Sequence, residues 1–234
     1  MPDDSVLAEH DPNDLMDAEA ARLDAWFDGL SDDEWKQPSA CEGWSVQDVL
    51  AHLAFGEGYN AACIDEEIPA FMERYTSRGA TDMNGFNALG VRERADRTPD
   101  ELLEEWRAGC ARTRSELRRR DGQDMTTGAG PYPARWQAWH LASELATHAD
   151  DIGLPEAAAE ADGRLAWRLA FARFALDEAR PEVTVEPGPD GFVVRAADQQ
   201  VVLDDAGLVD AVNGRLPADF QVDPALRSTL SALA

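Results

Sequence analysis

The hydrophobic pattern of this chain changes its period near Pro181, and this change limits the folds that the chain can adopt. Before Pro181, apolar residues recur every three or four positions, which predicts amphipathic helices. After it, short apolar runs bounded by glycine and proline predict three short strands, with a hairpin between the first two. The sequence therefore predicts a mainly α protein, in which a helical bundle is followed by a small α+β domain.

Several of the predicted helices begin at recognisable capping signals. Ser45 can cap a helix with Asp48 at the third position, and Thr98 can cap a helix that starts with Pro99. Gly153 is placed to stop another helix. The predicted helices cover residues 15–30, 46–56, 98–120, 134–152, 156–179 and 206–213, and residues 56–97 are predicted to be helical with an interruption near 77–84.

These elements divide the chain into three parts. Residues 1–14 are acidic and carry no apolar run, so we predict a disordered or frayed N-terminus. Residues 15–180 form the predicted helical bundle, and residues 181–234 form the small α+β C-terminal domain. The boundary between the last two coincides with the change of hydrophobic period.

Charge and cysteine content exclude several classes of function. The net charge of −25 opposes binding to nucleic acid or to an anionic membrane, because these partners carry the same sign. The sequence shows neither a signal peptide nor the roughly 20 consecutive apolar residues that span a bilayer. Three cysteines without C-x-x-C spacing predict neither a disulfide framework nor a thiolate zinc site. We expect a protein of the reducing cytoplasm.

The predicted helix 134–152 carries the residues most typical of a metal site. Glu144 and His148 are four residues apart, so they lie one turn apart on one flank of a helix. The spacing alone also fits an ordinary pair on a helix surface, but the apolar neighbours of Glu144 favour a buried flank that needs partners. His52, at the border of an apolar stripe, can supply a third donor. Two histidines and a carboxylate are typical of a catalytic metal site with open positions.

Three further residues near these donors have alternative interpretations. His140 lies one turn before Glu144 and could be a fourth ligand or a general base. Cys41 could be a nucleophile, but we favour a structural role because no histidine is near it in sequence. Trp44 is predicted to be a buried anchor of its loop rather than a platform for substrate.

Two motifs of the chain resemble one known family. The first is residues 34–53, EWKQPSACEGWSVQDVLAHL, and the second is E-x-x-x-H-x-x-D-I at residues 144–152. Together they resemble the N-terminal domain of the mycothiol-dependent maleylpyruvate isomerase family, which is distantly similar to DinB-like four-helix bundles. The resemblance implies a DinB-like four-helix bundle for the helical domain, and it covers residues 15–155 best.

The resemblance also implies roles for particular residues. The metal ligands, usually for zinc, would be His52, Glu144 and His148. Asp151 would orient His148 or have a structural role, with a plain solvent-facing or helix-terminal role as the alternative. In the tail, Arg215 would help to bind an acidic substrate or the thiol. The alternative for Arg215 is an ordinary arginine that complements a helix dipole.

The resemblance implies an enzyme that depends on a divalent metal, with Zn2+ as the first choice, and on mycothiol. Its reaction would be isomerisation of, or thiol transfer to, an electrophilic small molecule similar to maleylpyruvate. The partners would be this substrate and the thiol, and the protein would be a monomer or a homodimer. A metal-dependent hydrolase of the DinB-like superfamily and a non-catalytic metal-binding protein are the alternatives.

Overall fold

The computed structural model describes residues 2–233 and divides them into two compact units. One unit is Pro12–Pro155, and the other combines the residues up to Asp11 with those from Glu156 onward. The sequence places the boundary later, near Arg180. The structure differs because the helix that ends at Ala179 packs against elements of the C-terminal unit.

The first unit contains six α-helices and one β-hairpin among its described residues. In chain order these are α1 (Pro12–Asp28), α2 (Val46–Ile64), α3 (Ile68–Thr76), α4 (Met83–Arg92), α5 (Pro99–Arg119), β1 (Asp124–Thr127), β2 (Gly130–Pro133) and α6 (Ala134–Asp151). The four long helices form the bundle: α1 packs against α6 and α2 against α5, while α5 also contacts α1 and α6. This arrangement places the two helices with the predicted donors, α2 and α6, in one bundle.

The helix starts follow the capping signals of the sequence. The Ser45 hydroxyl accepts a hydrogen bond from the amide of Asp48, and the Asp48 side chain accepts from the amide of Ser45, which completes a capping box. Thr98 and Glu101 form a second capping box at the start of α5. Both helices therefore begin where the sequence predicts. α2 continues to Ile64, beyond its predicted end at residue 56.

Helix α6 is buried around most of its circumference. Small side chains such as Ala138, Ala142 and Ala146 are fully buried, so neighbouring helices approach it closely. The helix ends in a Schellman motif, in which the amide of Leu154 donates to the carbonyl oxygen of Ala149 at 3.0 Å. Gly153 supplies the positive φ of 71° that this motif requires.

A second apolar cluster joins α2 to the short helices α3 and α4. Its buried members are Phe55, Tyr75, Ala80, Phe86 and Leu89. Gly90 lets α4 approach α2, because a Cβ atom at this position would lie 2.2 Å from Cγ of Phe55. The sequence predicts only interrupted helix here, since the cluster is a tertiary contact that no local pattern reports.

The C-terminal unit is a small α+β arrangement. Its elements are α7 (Ala158–Ala179), β3 (Thr184–Gly188), β4 (Gly191–Ala196), β5 (Gln199–Leu203), α8 (Asp205–Val212) and α9 (Pro224–Leu230). The three strands form an antiparallel sheet in the order β3-β4-β5, and α8 lies against β4, β5 and α7. The predicted glycine-containing hairpin is present between β3 and β4, where Gly188 pairs with Gly191. The sequence did not predict α9.

The N-terminal segment is more ordered than the sequence suggests. Residues Asp4–Leu7 form a short 3-10 helix that contacts α7. Leu7 is buried, and the amide of Asp3 donates to Oδ2 of Asp177 at 2.9 Å. The contact with α7 and the burial of Leu7 help to order this short acidic segment. The outermost residues of the predicted first and last parts, Met1 and Ala234, lie outside the described residues.

Within residues 2–233, no helix has the length and apolar character needed to cross a membrane.

Candidate metal centre

His52 lies in the interior of the bundle. It belongs to a stretch of α2, residues 49–55, that is buried on all sides, and its own exposure is 6%. The Trp44 ring covers one side of the imidazole, with 5.2 Å between ring centroids. Nδ1 of His52 is buried and has no hydrogen-bond partner among the described residues. Burial of an imidazole with one nitrogen lacking a hydrogen bond costs free energy, unless a strong interaction of the other nitrogen offsets it.

That other nitrogen faces the two predicted donors of α6. Nε2 of His52 lies 2.9 Å from Oε1 of Glu144, and Nε2 of His148 lies 3.4 Å from the same oxygen. The two imidazole rings meet edge to face, with centroids 4.7 Å apart. The side chain of Glu144 is 44% exposed, whereas those of His52 and His148 are only 7% and 9% exposed. The cluster is therefore closed by the histidines and open beside Glu144.

The donor geometry fits a divalent metal ion. One donor atom from each of His52, Glu144 and His148 lies within 4.8 Å of the other two. Neighbouring ligands around an ion with bonds of about 2.1 Å are about 3.0 Å apart in octahedral and about 3.4 Å apart in tetrahedral geometry. The observed N···O distances of 2.9 and 3.4 Å are hydrogen-bond and ion-pair contacts, and they place all three donors within reach of one ion. Two imidazoles and one carboxylate are also the donor types that zinc accepts.

The ionisable groups of the cluster stabilise each other's charged forms. Burial by itself raises the pKa of Glu144, but hydrogen bonds with His148 and His52 outweigh it and hold that pKa well below its usual value. Burial by itself lowers the pKa of His148, but hydrogen bonds with Asp151, Cys41 and Glu144 raise it well above its usual value. The Glu144 carboxylate and a protonated His148 ring therefore stabilise each other. A metal ion bound to Nε2 of His148 would compete with a proton for the same nitrogen.

Asp151 holds the far side of the His148 ring. Nδ1 of His148 donates to Oδ2 of Asp151 at 2.9 Å, and the Asp151 side chain is 3% exposed. A carboxylate in this place fixes which nitrogen of the ring faces the other donors, as it does behind many metal-binding histidines. The arrangement agrees with the orienting role that the family resemblance implies for Asp151.

Comparison with known proteins identifies the family of the chain. The family model described as the mycothiol maleylpyruvate isomerase N-terminal domain matches residues 16–153. The chain belongs to this family. The match contains both sequence motifs and all three donor residues, and it confirms the family resemblance seen in the sequence.

Solved structures show that this family member shares its fold with known proteins. The crystal structure of the mycothiol-dependent maleylpyruvate isomerase matches with a TM-score of 0.61 and 16% identity, over 89% of each chain. A histidine-to-alanine mutant of that isomerase matches with a TM-score of 0.60 and 15% identity, over 88% of each chain. At this identity the likeness shows the fold, and it confirms the predicted fold class.

Two uncharacterized proteins of Mycobacterium tuberculosis, from two strains, are each 29% identical to this family member over 136 residues. The match covers 58% of this chain and 52% of each relative. The chain thus spans about half the length of the curated relatives it matches.

Of the other predicted site residues of this isomerase-family chain, His140 lies in the same unit as the donors, and Arg215 belongs to the C-terminal unit. Nε2 of His140 is 2.9 Å from the hydroxyl oxygen of Tyr132. His140 belongs to neither of the two groups of potential metal ligands in the described residues, which are His52, Glu144 and His148, and Cys41, His148 and Asp151. Arg215 follows α8 in the C-terminal unit, where its guanidinium donates to the carbonyl oxygen of Asn213 at 3.1 Å. The substrate-binding role of Arg215 stays a prediction.

The structure places Cys41 beside the centre, which the sequence argument missed. Sγ of Cys41 lies 3.2 Å from Oδ2 of Asp151 and 3.9 Å from Nδ1 of His148. From the sequence we favoured a structural role because no histidine is near Cys41 along the chain, yet the fold brings His148 to it. The signal that could have found the contact is that Cys41 and Asp151 belong to the two motifs of the same family.

Proposed function

We propose that this protein is a metal-dependent enzyme that uses mycothiol to isomerise, or to add to, an electrophilic small molecule similar to maleylpyruvate. The convergence of His52, Glu144 and His148 in one cluster carries the proposal. Family membership supports mycothiol as the thiol, since the family model bears its name. None of the three cysteines forms a disulfide among the described residues, which fits the reducing cytoplasm as the proposed place of action.

The side chains of the centre have separate roles in this proposal. His52, Glu144 and His148 hold a divalent ion, with zinc as the first candidate. A bound ion of this kind would stabilise a thiol as its thiolate at neutral pH. Asp151 keeps Nε2 of His148 directed at the other donors through its hydrogen bond to Nδ1. Trp44 covers His52 on one side and limits access of water to that ligand.

The half-exposed Glu144 marks the side from which thiol and substrate reach the centre. The thiolate adds to the conjugated double bond of the substrate, and the resulting single bond rotates. Expulsion of the thiolate then restores the double bond in the other geometry, which completes an isomerisation. Transfer is the same reaction halted at the adduct, once the carbanion has taken a proton.

Arg215 is proposed to bind the carboxylate of an acidic substrate or of the thiol. A planar guanidinium with several donors is suited to this contact. With Arg215→Ala we expect a raised KM for the acidic substrate and an unchanged metal content. An unchanged KM would remove Arg215 from the proposal.

The metal content of purified variants tests the donor set. We expect a stoichiometric ion in the wild type, and most of it lost in His52→Ala, Glu144→Ala and His148→Ala, measured by inductively coupled plasma mass spectrometry. His10→Ala is the control, because it removes an imidazole that lies outside the unit with the donors. His140→Ala tests the alternative of a fourth ligand. Full metal retention in all three donor variants would refute the proposed centre.

Activity assays with the metal-loaded protein test the reaction. We expect mycothiol-dependent conversion of maleylpyruvate or of another conjugated electrophile, followed by chromatography and mass spectrometry. A persistent thiol adduct would identify a transferase, and a rearranged product without an adduct would identify an isomerase. If the protein neither binds mycothiol nor accelerates its addition to any of the electrophiles assayed, both the isomerase and the transferase proposals are refuted. Hydrolysis of esters or amides without added thiol would instead favour the hydrolase alternative.

A further inference from the structure

Residues 38–45, which we call the covering loop, contact both helices that carry the donors. The amide of Ala40 donates to the backbone oxygen of Asp151 at 2.8 Å, which attaches the loop to the end of α6. The Trp44 ring packs on His52 of α2. Within the loop, the amide and the hydroxyl of Ser39 both donate to the Trp44 carbonyl oxygen at 2.9 Å, which fixes its shape. The loop is thus a defined structure that reaches both sides of the donor cluster.

Cys41 forms the side-chain contact between this loop and α6. Its thiol donates to Oδ2 of Asp151 at 3.2 Å, and the same oxygen accepts from Nδ1 of His148 at 2.9 Å. A buried carboxylate is stable only with hydrogen-bond donors around it. Two donors on one oxygen restrict the rotation of the carboxylate more than either donor alone.

We propose that Cys41 is a positioning residue of the metal centre. Its S–H group holds the Asp151 carboxylate against Nδ1 of His148, and this contact keeps Nε2 of His148 directed at Glu144 and His52. This inference rests on the proposed metal-binding function of the three donors. It assigns to Cys41 neither ligation nor attack on the substrate.

The position of the sulfur atom supports this role. Sγ of Cys41 is close to Nδ1 of His148, whereas the other donors lie on the side of Nε2. The sulfur therefore lies on the Nδ1 side of the ring, where Cys41, His148 and Asp151 form a second group of potential metal ligands, and Cys41 is absent from the group formed by the three proposed donors. A sulfur and a carboxylate oxygen at 3.2 Å also need a proton between them, which makes the thiol a donor in this contact.

Two kinds of substitution at Cys41 test the inference through metal affinity, measured by competition with a chromophoric chelator. Cys41→Ala and Cys41→Val remove the donor, and we expect each to weaken zinc binding about tenfold, the lower end of the range for lost outer partners of metal ligands. Cys41→Ser keeps a donor, and we expect its affinity to stay within about threefold of the wild type. Thermal unfolding of the metal-free variants is measured alongside, and we expect it to differ little between Cys41→Ala and Cys41→Ser.

Three outcomes would overturn the inference. Wild-type affinity in both Cys41→Ala and Cys41→Val would show that the contact does not position His148. An equal loss in Cys41→Ser and Cys41→Ala would show that the donated hydrogen bond is not the cause. A thiolate-to-metal charge-transfer band in the cobalt-substituted wild type, absent in Cys41→Ser, would make Cys41 a ligand. If instead the three donors do not bind the ion, His148→Ala will keep its ion. That result distinguishes failure of the proposed metal site from failure of the inference about Cys41.

Discussion

Replacing Gly90 by alanine is expected to destabilise the bundle, although alanine is the better helix former. A Cβ atom at Gly90 would lie 2.2, 2.3 and 2.7 Å from three ring carbons of Phe55. The Phe55 ring cannot move aside easily, because it is 4% exposed and packs against the rings of Phe71 and Tyr75. Either this ring or the α4 backbone must shift.

The magnitude follows from two opposing effects. Overpacking of a dense core costs about 1–3 kcal/mol, and a contact with three ring atoms belongs at the upper end. Alanine returns about 1 kcal/mol through its helix propensity. We therefore expect Gly90→Ala to lower the free energy of unfolding by about 2 kcal/mol, which corresponds to about 4–8 °C in Tm for a chain of this size.

Gly56→Ala is the matched control for Gly90→Ala. Gly56 also lies inside a helix, but a Cβ atom there would have no neighbour within 4 Å. With no clash, we expect this variant to gain about 0.5–1 kcal/mol. Urea unfolding followed by far-ultraviolet circular dichroism compares the two variants with the wild type. If Gly90→Ala proved as stable as Gly56→Ala, the close approach of α4 and α2 would be refuted.

Three further predictions concern stability. At a free zinc concentration of 100 times Kd, the wild type should gain about 2.7 kcal/mol in unfolding free energy; the same gain in His52→Ala would place the ion elsewhere. Burial raises the pKa of Glu57, although hydrogen bonds from Thr113 and Asn60 oppose the shift. The stabilising contribution of Glu57 is therefore complete below the pKa that this group has in the unfolded chain. It is lost as pH rises through the raised pKa of the folded protein. Urea unfolding across pH should show this loss in the wild type and not in Glu57→Gln. Ser45→Ala removes the acceptor of the α2 capping box and should cost about 1 kcal/mol in urea unfolding, whereas unchanged stability would contradict that role of the cap.

Elements with strong local signals were predictable from the sequence, whereas those set by tertiary contacts were not. The start of α2 follows from Ser45 and Asp48 alone, because the cap is a contact between residues three apart. The sequence did not predict the hairpin of β1 and β2, because a segment rich in glycine and proline is typical of a loop. The amide of Gly128 donates to the hydroxyl oxygen of Tyr59, 69 residues away, and such a contact leaves no local pattern.

The candidate site also contains residues that the sequence predicts and a contact that it does not. The spacing of Glu144 and His148 placed them on one helix flank, and the family motif indicated His52 as their partner. The structure brings these three side chains together. The contact of Cys41 with Asp151 joins residues 110 positions apart through a thiol in a loop, and neither periodicity nor spacing reports such a contact.

The separation of the donors along the chain has a consequence for how an ion would enter and leave. His52 and Glu144 are 92 residues apart, so the growing polypeptide presents the complete donor set only after α6 has been made and has docked. An ion held by both helices would cross-link them, so it enters a site that only the folded bundle provides. Because the side chain of Glu144 is half-exposed, the ion can leave on that side without separation of the helices.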